Sequence, residues 1–169
     1  ALSLLVARHN QQQQHKSIAM YCHSNPRTFS QESYDVNDTL AKDLFVPFLQ
    51  KRGHQIVKTS EDYYHDVISK YGLDTFYFEL EVKTGYPFED AATYPFDTVS
   101  FLGRKQRLCE RHSFYYVIIC KETHTAVCCH SDVIYQDKYL EVKYIDKENT
   151  KGYDNLYRVP KELCDFFNL

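Results

Sequence analysis

The chain of 169 residues has no tryptophan, one methionine and only five glycines and five prolines. With glycines so few and scattered, a glycine-rich phosphate loop is excluded, and no serine or cysteine nucleophile stands in a recognisable local motif. Also missing is any run approaching the ~18 apolar residues that a membrane-spanning helix requires. A large excess of either charge is also missing: 20 lysines and arginines stand against 23 aspartates and glutamates, for a net charge of −3. That balance excludes a polycation binding nucleic acid over its whole surface, so any such contact must come from a local basic patch.

Aromatic residues are abundant, with 15 tyrosines and 11 phenylalanines. Such side chains fit pleated surfaces, so a β-rich core is expected. A hydrophobic content of 43% with 25% charged residues is that of a folded globular chain. The length suits one domain, which we place at residues 31–169. Residues 1–30, with a short apolar start and the glutamine run Gln11 to Gln14, form an arm or tail of uncertain order. The six cysteines, Cys22, Cys109, Cys120, Cys128, Cys129 and Cys164, stand in a chain without a secretory pattern. They are expected to be reduced thiols of an intracellular, cytoplasmic protein.

The most informative run is Phe76-Tyr77-Phe78-Glu79-Leu80-Glu81-Val82-Lys83. As a strand it would place Phe76, Phe78, Leu80 and Val82 on one face and Tyr77, Glu79, Glu81 and Lys83 on the other. Before it, residues 66–71 are also β-prone, with Gly72-Leu73-Asp74 as the turn. An antiparallel hairpin about that turn sets Asp66 opposite Glu79 or Glu81. Acids gathered at one end of a hairpin repel each other unless a hard cation lies between them, and such oxygen ligands suit Mg2+ or Mn2+. Asp74, in the turn, would lie ~20 Å or more from Glu81 and cannot share that ion.

Around this hairpin the chain reads as mixed α and β. A helix is expected over 37–52, with Leu40, Leu44, Phe45, Phe48 and Leu49 on one face, Asp38 capping its start and Gly53 its stop, against the objection of Pro47. Strands are expected at 54–59, 98–101, 113–120 and 125–130, a further pair at 132–135 and 138–144, helical turns at 104–112, and a short terminal helix after Val159. Arg104, Lys105, Arg107 and Arg111 are the densest basic cluster. They are candidates for nucleic-acid phosphates, with a solvated surface patch as the alternative.

Asp66 followed, after fourteen residues, by Glu81-Val82-Lys83 resembles the Asp…Glu-x-Lys signature of the PD-(D/E)XK, or restriction-endonuclease-like, nuclease superfamily, with His65 where that family often has proline. The resemblance implies an α/β (α+β) fold with a central mixed β-sheet, flanking helices and a helix-strand-strand-strand-helix-strand order. It also implies a divalent-metal-dependent nuclease hydrolysing phosphodiester bonds in DNA. Asp66, Glu81 and Lys83 would be catalytic; Asp66, Glu81, the backbone carbonyl of Val82 and, as an added candidate, Glu79 would hold Mg2+ or Mn2+. An acid of the first helix, Asp38 or Asp43, often assists the metal in that family, and many of its members pair as homodimers.

Other readings stand beside this one. The same architecture could be a non-catalytic nucleic-acid- or protein-binding module, with Glu79, Glu81 and Lys83 as a surface ion-pair ladder. A zinc-stabilised interaction domain would draw on Cys109, His112, Cys120, His124, Cys128, Cys129 and His130, although no Cys-x2-Cys knuckle is present. Finally, Glu141-Val142-Lys143 repeats the Glu-x-Lys pattern, with Asp132 brought near if a hairpin turns about Asp137. His65 reads as a structural or loop residue, because neighbours on a strand point opposite ways.

Overall fold

The computed structural model describes residues 31–59, 64–147 and 150–169. Residues 1–30, expected to form an arm or tail and including Cys22, and residues 60–63 lie outside the described residues. Helix α1 (Gln31–Lys51) is followed by strands β1 (Gln55–Lys58), β2 (Val67–Tyr71), β3 (Asp74–Lys83) and β4 (Thr98–Leu102). After a 3-10 helix (Gly103–Glu110) come β5 (Tyr115–Cys120), β6 (Thr125–His130) and the short helix α2 (Ser131–Ile134). Strands β7 (Leu140–Lys147), β8 (Thr150–Pro160) and β9 (Asp165–Asn168) complete the chain.

Among the described residues nine strands form two sheets, one of six strands in the order β1-β2-β3-β5-β6-β9 and one of three in the order β4-β8-β7. Within the larger sheet β3 and β5 run parallel and every other pair is antiparallel. The fold is therefore α+β with a mixed sheet. The parallel pair requires a crossover, and residues 84–114 supply it, carrying β4 and the 3-10 helix.

Alternation along β3 and β5 sorts the core into two layers. Phe76, Phe78, Tyr115, Val117 and Ile119 pack with Ala41, Phe45, Phe48 and Leu49 of α1. On the opposite face Tyr116, Ile118 and Cys120 pack with Val99, Phe101, Tyr157 and Val159 of the smaller sheet. Covered on both sides, β5 is buried along its whole length. Burying each large apolar side chain contributes roughly 1.5–3 kcal/mol, so these two layers dominate the folding energy.

Helix α1 begins at Gln31, six residues before the expected start at 37, and Asp38 lies inside it, paired with Lys42 one turn on at 2.7 Å rather than capping. Pro47 is accommodated within α1 on its exposed side. The end is a Schellman arrangement: Gly53 at φ 85° donates its N–H to Gln50, and His54 donates to Leu49. In the β2–β3 hairpin Tyr71 pairs with Asp74, and Gly72 at φ 62° takes the first of the two turn positions, as a type II′ turn demands.

Two further expectations are corrected. Residues 131–134 are helical, not a strand, because the His130 ring accepts the N–H of Asp132 and caps a turn. The terminal helix is a single 3-10 turn, Lys161–Leu163, followed by β9, which pairs with the edge of β6 and sends Phe166 and Phe167 into opposite layers. Among the described residues no helix is long and apolar enough to cross a membrane.

Candidate functional site

Strand register sets the geometry of the carboxylates. Val67 pairs with Phe78, so one step earlier Asp66 faces Glu79, the nearer of the two partners that the sequence allowed. The Asp66 N–H donates to the Phe78 carbonyl at 3.1 Å. Its carboxylate Oδ2 accepts the N–H of Leu80 at 2.8 Å, so the side chain supplies an acceptor to β3 just where β2 begins.

Glu79 and Glu81 share the face of β3 that looks toward the smaller sheet, beside Tyr116 of the parallel partner. Glu79 is almost wholly buried, with its side chain 1% exposed. One oxygen is bonded by the Lys105 ammonium. The other, Oε1, makes no hydrogen bond among the described residues and lies 3.5 Å from Nδ1 of His65, whose two ring nitrogens are likewise buried and without hydrogen bonds. The His65 ring is packed among Tyr77 and Phe114, with centroids at 5.1 and 5.4 Å.

Glu81 is held differently. Its Oε2 accepts the Tyr116 hydroxyl at 2.5 Å and its Oε1 lies 3.2 Å from Lys83 Nζ. Tyr116 is fully buried, and burial together with the Glu81 charge drives its hydroxyl far above the ordinary tyrosine range, so it remains a donor. Val82, between them, pairs with Ile119 and turns its side chain toward the α1 layer.

Charge is concentrated around Asp66. Burial, then the Glu79 carboxylate, push its carboxyl up to about 6, against the opposing pull of Lys105 and the Leu80 amide. Asp38 of α1 adds to the same upward push, whereas Asp43 faces solvent. For Lys105, burial acts to lower the ammonium, but Glu79, Asp66 and Glu81 outweigh it and hold the group above the ordinary lysine range. Lys105 thus lies in the field of Glu79, Asp66 and Glu81, with Lys83 beside Glu81 further along β3.

The basic cluster divides. Lys105 turns inward to Glu79, while Arg104 and Arg107 are exposed on the 3-10 helix. Arg111 lays its guanidinium 3.5 Å above the Tyr64 ring and bonds the hydroxyl. Beside that pair His112 stacks on Tyr77 at 4.1 Å between centroids.

The second Glu-x-Lys is built otherwise than its spacing suggests. Asp132 lies in α2 and accepts the Ser113 hydroxyl at 2.8 Å, whereas Glu141 lies in β7 and pairs with Arg158 of β8. The hairpin there joins β7 to β8, so no turn about Asp137 folds Asp132 against Glu141. The soft ligands are dispersed as well: Cys120 and Cys129 lie in one core layer and Cys128 in the other. Among the described residues no three histidine, cysteine or acidic side chains are arranged to hold a metal ion.

Three features of the site were not singled out from sequence. Tyr116 as the support of Glu81, Lys105 as the partner of Glu79, and the buried orientation of His65 all depend on contacts across the sheet or the crossover. The nearest signals were the single lysine in a run of arginines and the tyrosine pair that opens β5. Searches with this sequence find no matching family model and no matching curated protein.

Proposed function

We propose that this chain is a divalent-metal-dependent nuclease hydrolysing phosphodiester bonds in DNA, on a restriction-endonuclease-like core. The observation that carries the reading is the placement of Asp66 directly across the hairpin from Glu79, with Glu81 and Lys83 next along the same face. The order α1, β1, β2, β3, crossover, β5 is compatible with that core, although the crossover here carries a strand and a 3-10 helix.

Two features of these carboxylates support a hard cation there. The Asp66 carboxyl is pushed up by burial and by a neighbouring acid, and Glu79 keeps a buried oxygen that makes no hydrogen bond among the described residues. Both are strains that a dication would relieve. Mg2+ keeps several waters and needs only one or two protein carboxylates, so a closed cage is not required. Asp66 and Glu81, with the Val82 carbonyl and Glu79 as further donors, would hold Mg2+ or Mn2+. When bound, the ion supplies polarisation of the phosphate and acidification of a water.

This chain's own residues supply the rest. The Tyr116 hydroxyl fixes the rotamer of Glu81, so the carboxylate does not have to be ordered at the moment of reaction. Lys83, beside Glu81 and partly exposed, would donate to a phosphate oxygen as negative charge grows on it. Arg104, Arg107 and Arg111, exposed nearby, would bind flanking phosphates. The described cysteines are free thiols, which supports an intracellular setting, and pairing of two copies would allow both strands to be cut.

One observation favours a non-catalytic binding module instead: Glu79 is paired with Lys105, and Glu81 with Lys83 and Tyr116. A single assay separates the two. Plasmid, linear and single-stranded DNA are incubated with Mg2+, Mn2+ or chelator, using wild type, Asp66→Ala and Lys83→Ala. Metal-dependent cleavage by wild type alone is expected; equal products from all three proteins, or none from any, overturn the assignment.

A further inference from the structure

Lys105 is the least ordinary side chain of the site. It leaves a segment in which every other cation is an arginine facing solvent, and it enters the low-dielectric space over β3 to reach a carboxylate that is 1% exposed. A buried carboxylate and ammonium are each costly to desolvate, and the cost is recovered only by close pairing. Here the pairing is incomplete, because Glu79 Oε1 and both nitrogens of His65 have no hydrogen bond among the described residues. Lys83 serves Glu81, so Lys105 is left as the cation of Glu79 and of the Asp66 that faces it.

The segment bearing Lys105 is firmly seated. Leu108 is buried in the core, and Gly103 lies so close to β8 that a methyl group there would meet Asn155 at 2.6 Å. The backbone is fixed, but the side chain is not enclosed: 29% of it remains exposed, so the ammonium has a path outward by rotation about its own bonds.

We propose that Lys105 is the site's resident counter-ion: its ammonium neutralises the Asp66–Glu79 pair in the metal-free protein and leaves Glu79 when a divalent cation arrives. The inference rests on the metal-dependent reading above and adds a competition within it. A dication at those carboxylates and an ammonium on Glu79 repel each other at short range, and the dication wins because it carries twice the charge and can take oxygens from more than one acid. Once displaced, the ammonium stands beside the carboxylates, where the phosphate of a bound strand would need a cation. Lys105 is thus a positioning residue for the metal-free site and a phosphate-facing donor in the loaded one.

Competition gives a result that an ordinary structural ion pair would not. Titrating Mn2+ calorimetrically into the full chain, Lys105→Met should bind about tenfold more tightly than wild type, or better, the factor that ~1.4 kcal/mol of relieved repulsion gives. Because Lys105→Met leaves a buried carboxylate without its partner, the variant is also melted with and without Mn2+. The metal should raise its melting temperature more than it raises that of wild type. Lys105→Gln, which keeps a neutral donor for Glu79, is the companion variant and should show the same tighter binding.

Wild type that binds no Mn2+ removes the metal reading and this inference together. If wild type binds and both variants bind equally well or more weakly, the displacement is wrong while the metal site stands. A Lys105→Met protein that is unfolded and gains nothing from Mn2+, together with Lys105→Gln at wild-type affinity, also overturns the proposal.

Discussion

Asp66 Oδ2 accepts the backbone N–H of Leu80 at 2.8 Å, so a side-chain acid completes the hydrogen bonding of β3 where β2 begins. This bond ties the orientation of the carboxylate to the sheet itself. It also retains the acid in a part-buried place beside Glu79, where its ionised form is disfavoured.

The consequence is a stability that depends on pH. The Asp66 carboxyl stands at about 6 in the folded chain against 3.8 for an unperturbed aspartate. A carboxyl raised on folding stabilises the protein below the unfolded value, and that contribution is lost as pH rises through the folded one. In chelator, Asp66→Asn should therefore be more stable than wild type at pH 7.5 by about 1–2 kcal/mol, after discounting for partial exposure. The gap should close as pH falls toward 4. Urea unfolding of both proteins across that range is the check, and a gap that does not vary with pH would contradict the assignment.

Tyr116→Phe removes the hydroxyl that holds Glu81 and nothing else of the ring's packing. The lost charged hydrogen bond should cost about 1.5–3 kcal/mol of stability. Cleavage of DNA should fall roughly 10–100-fold, as removal of an outer partner of a metal-binding acid typically does. Urea melts and initial cleavage rates measure the two effects separately. Unchanged cleavage would show that Glu81 needs no support.

Gly103→Ala tests the seat of the Lys105 segment. The new methyl would lie 2.6 Å from Asn155 Cβ and 2.7 Å from its carbonyl oxygen, a backbone clash that no rotamer change relieves. A loss of about 1–3 kcal/mol is expected in a thermal melt. A variant as stable as wild type would mean that the 3-10 helix can lift from β8 at little cost.

Much of the hairpin could be read from the sequence because its signals are local. The alternation from Phe76 to Lys83 and the glycine at 72 fix faces and turn within a few residues. Helix α1 was legible where Phe45, Phe48 and Leu49 recur, but not at 31–36, which has no apolar period to announce it. The terminal segment misled because Lys161-Glu162-Leu163 opens as a helix would; Phe166 and Phe167 then part to opposite layers, a result of the free edge of β6. Lys105 and Glu79 meet across 26 residues and a crossover, a contact with no trace in either residue's neighbours. The distance between Asp132 and Glu141 was equally hidden, since it depends on β7 pairing forward with β8.

The most direct test is diffraction from crystals of the full chain grown in chelator and then soaked in Mn2+, using the anomalous signal of manganese to locate the ion. A peak with oxygens of Asp66 and Glu81 at about 2.1 Å is expected, with the Lys105 ammonium withdrawn from Glu79. Soaked crystals without a peak at those carboxylates, with Lys105 still seated on Glu79, would contradict it.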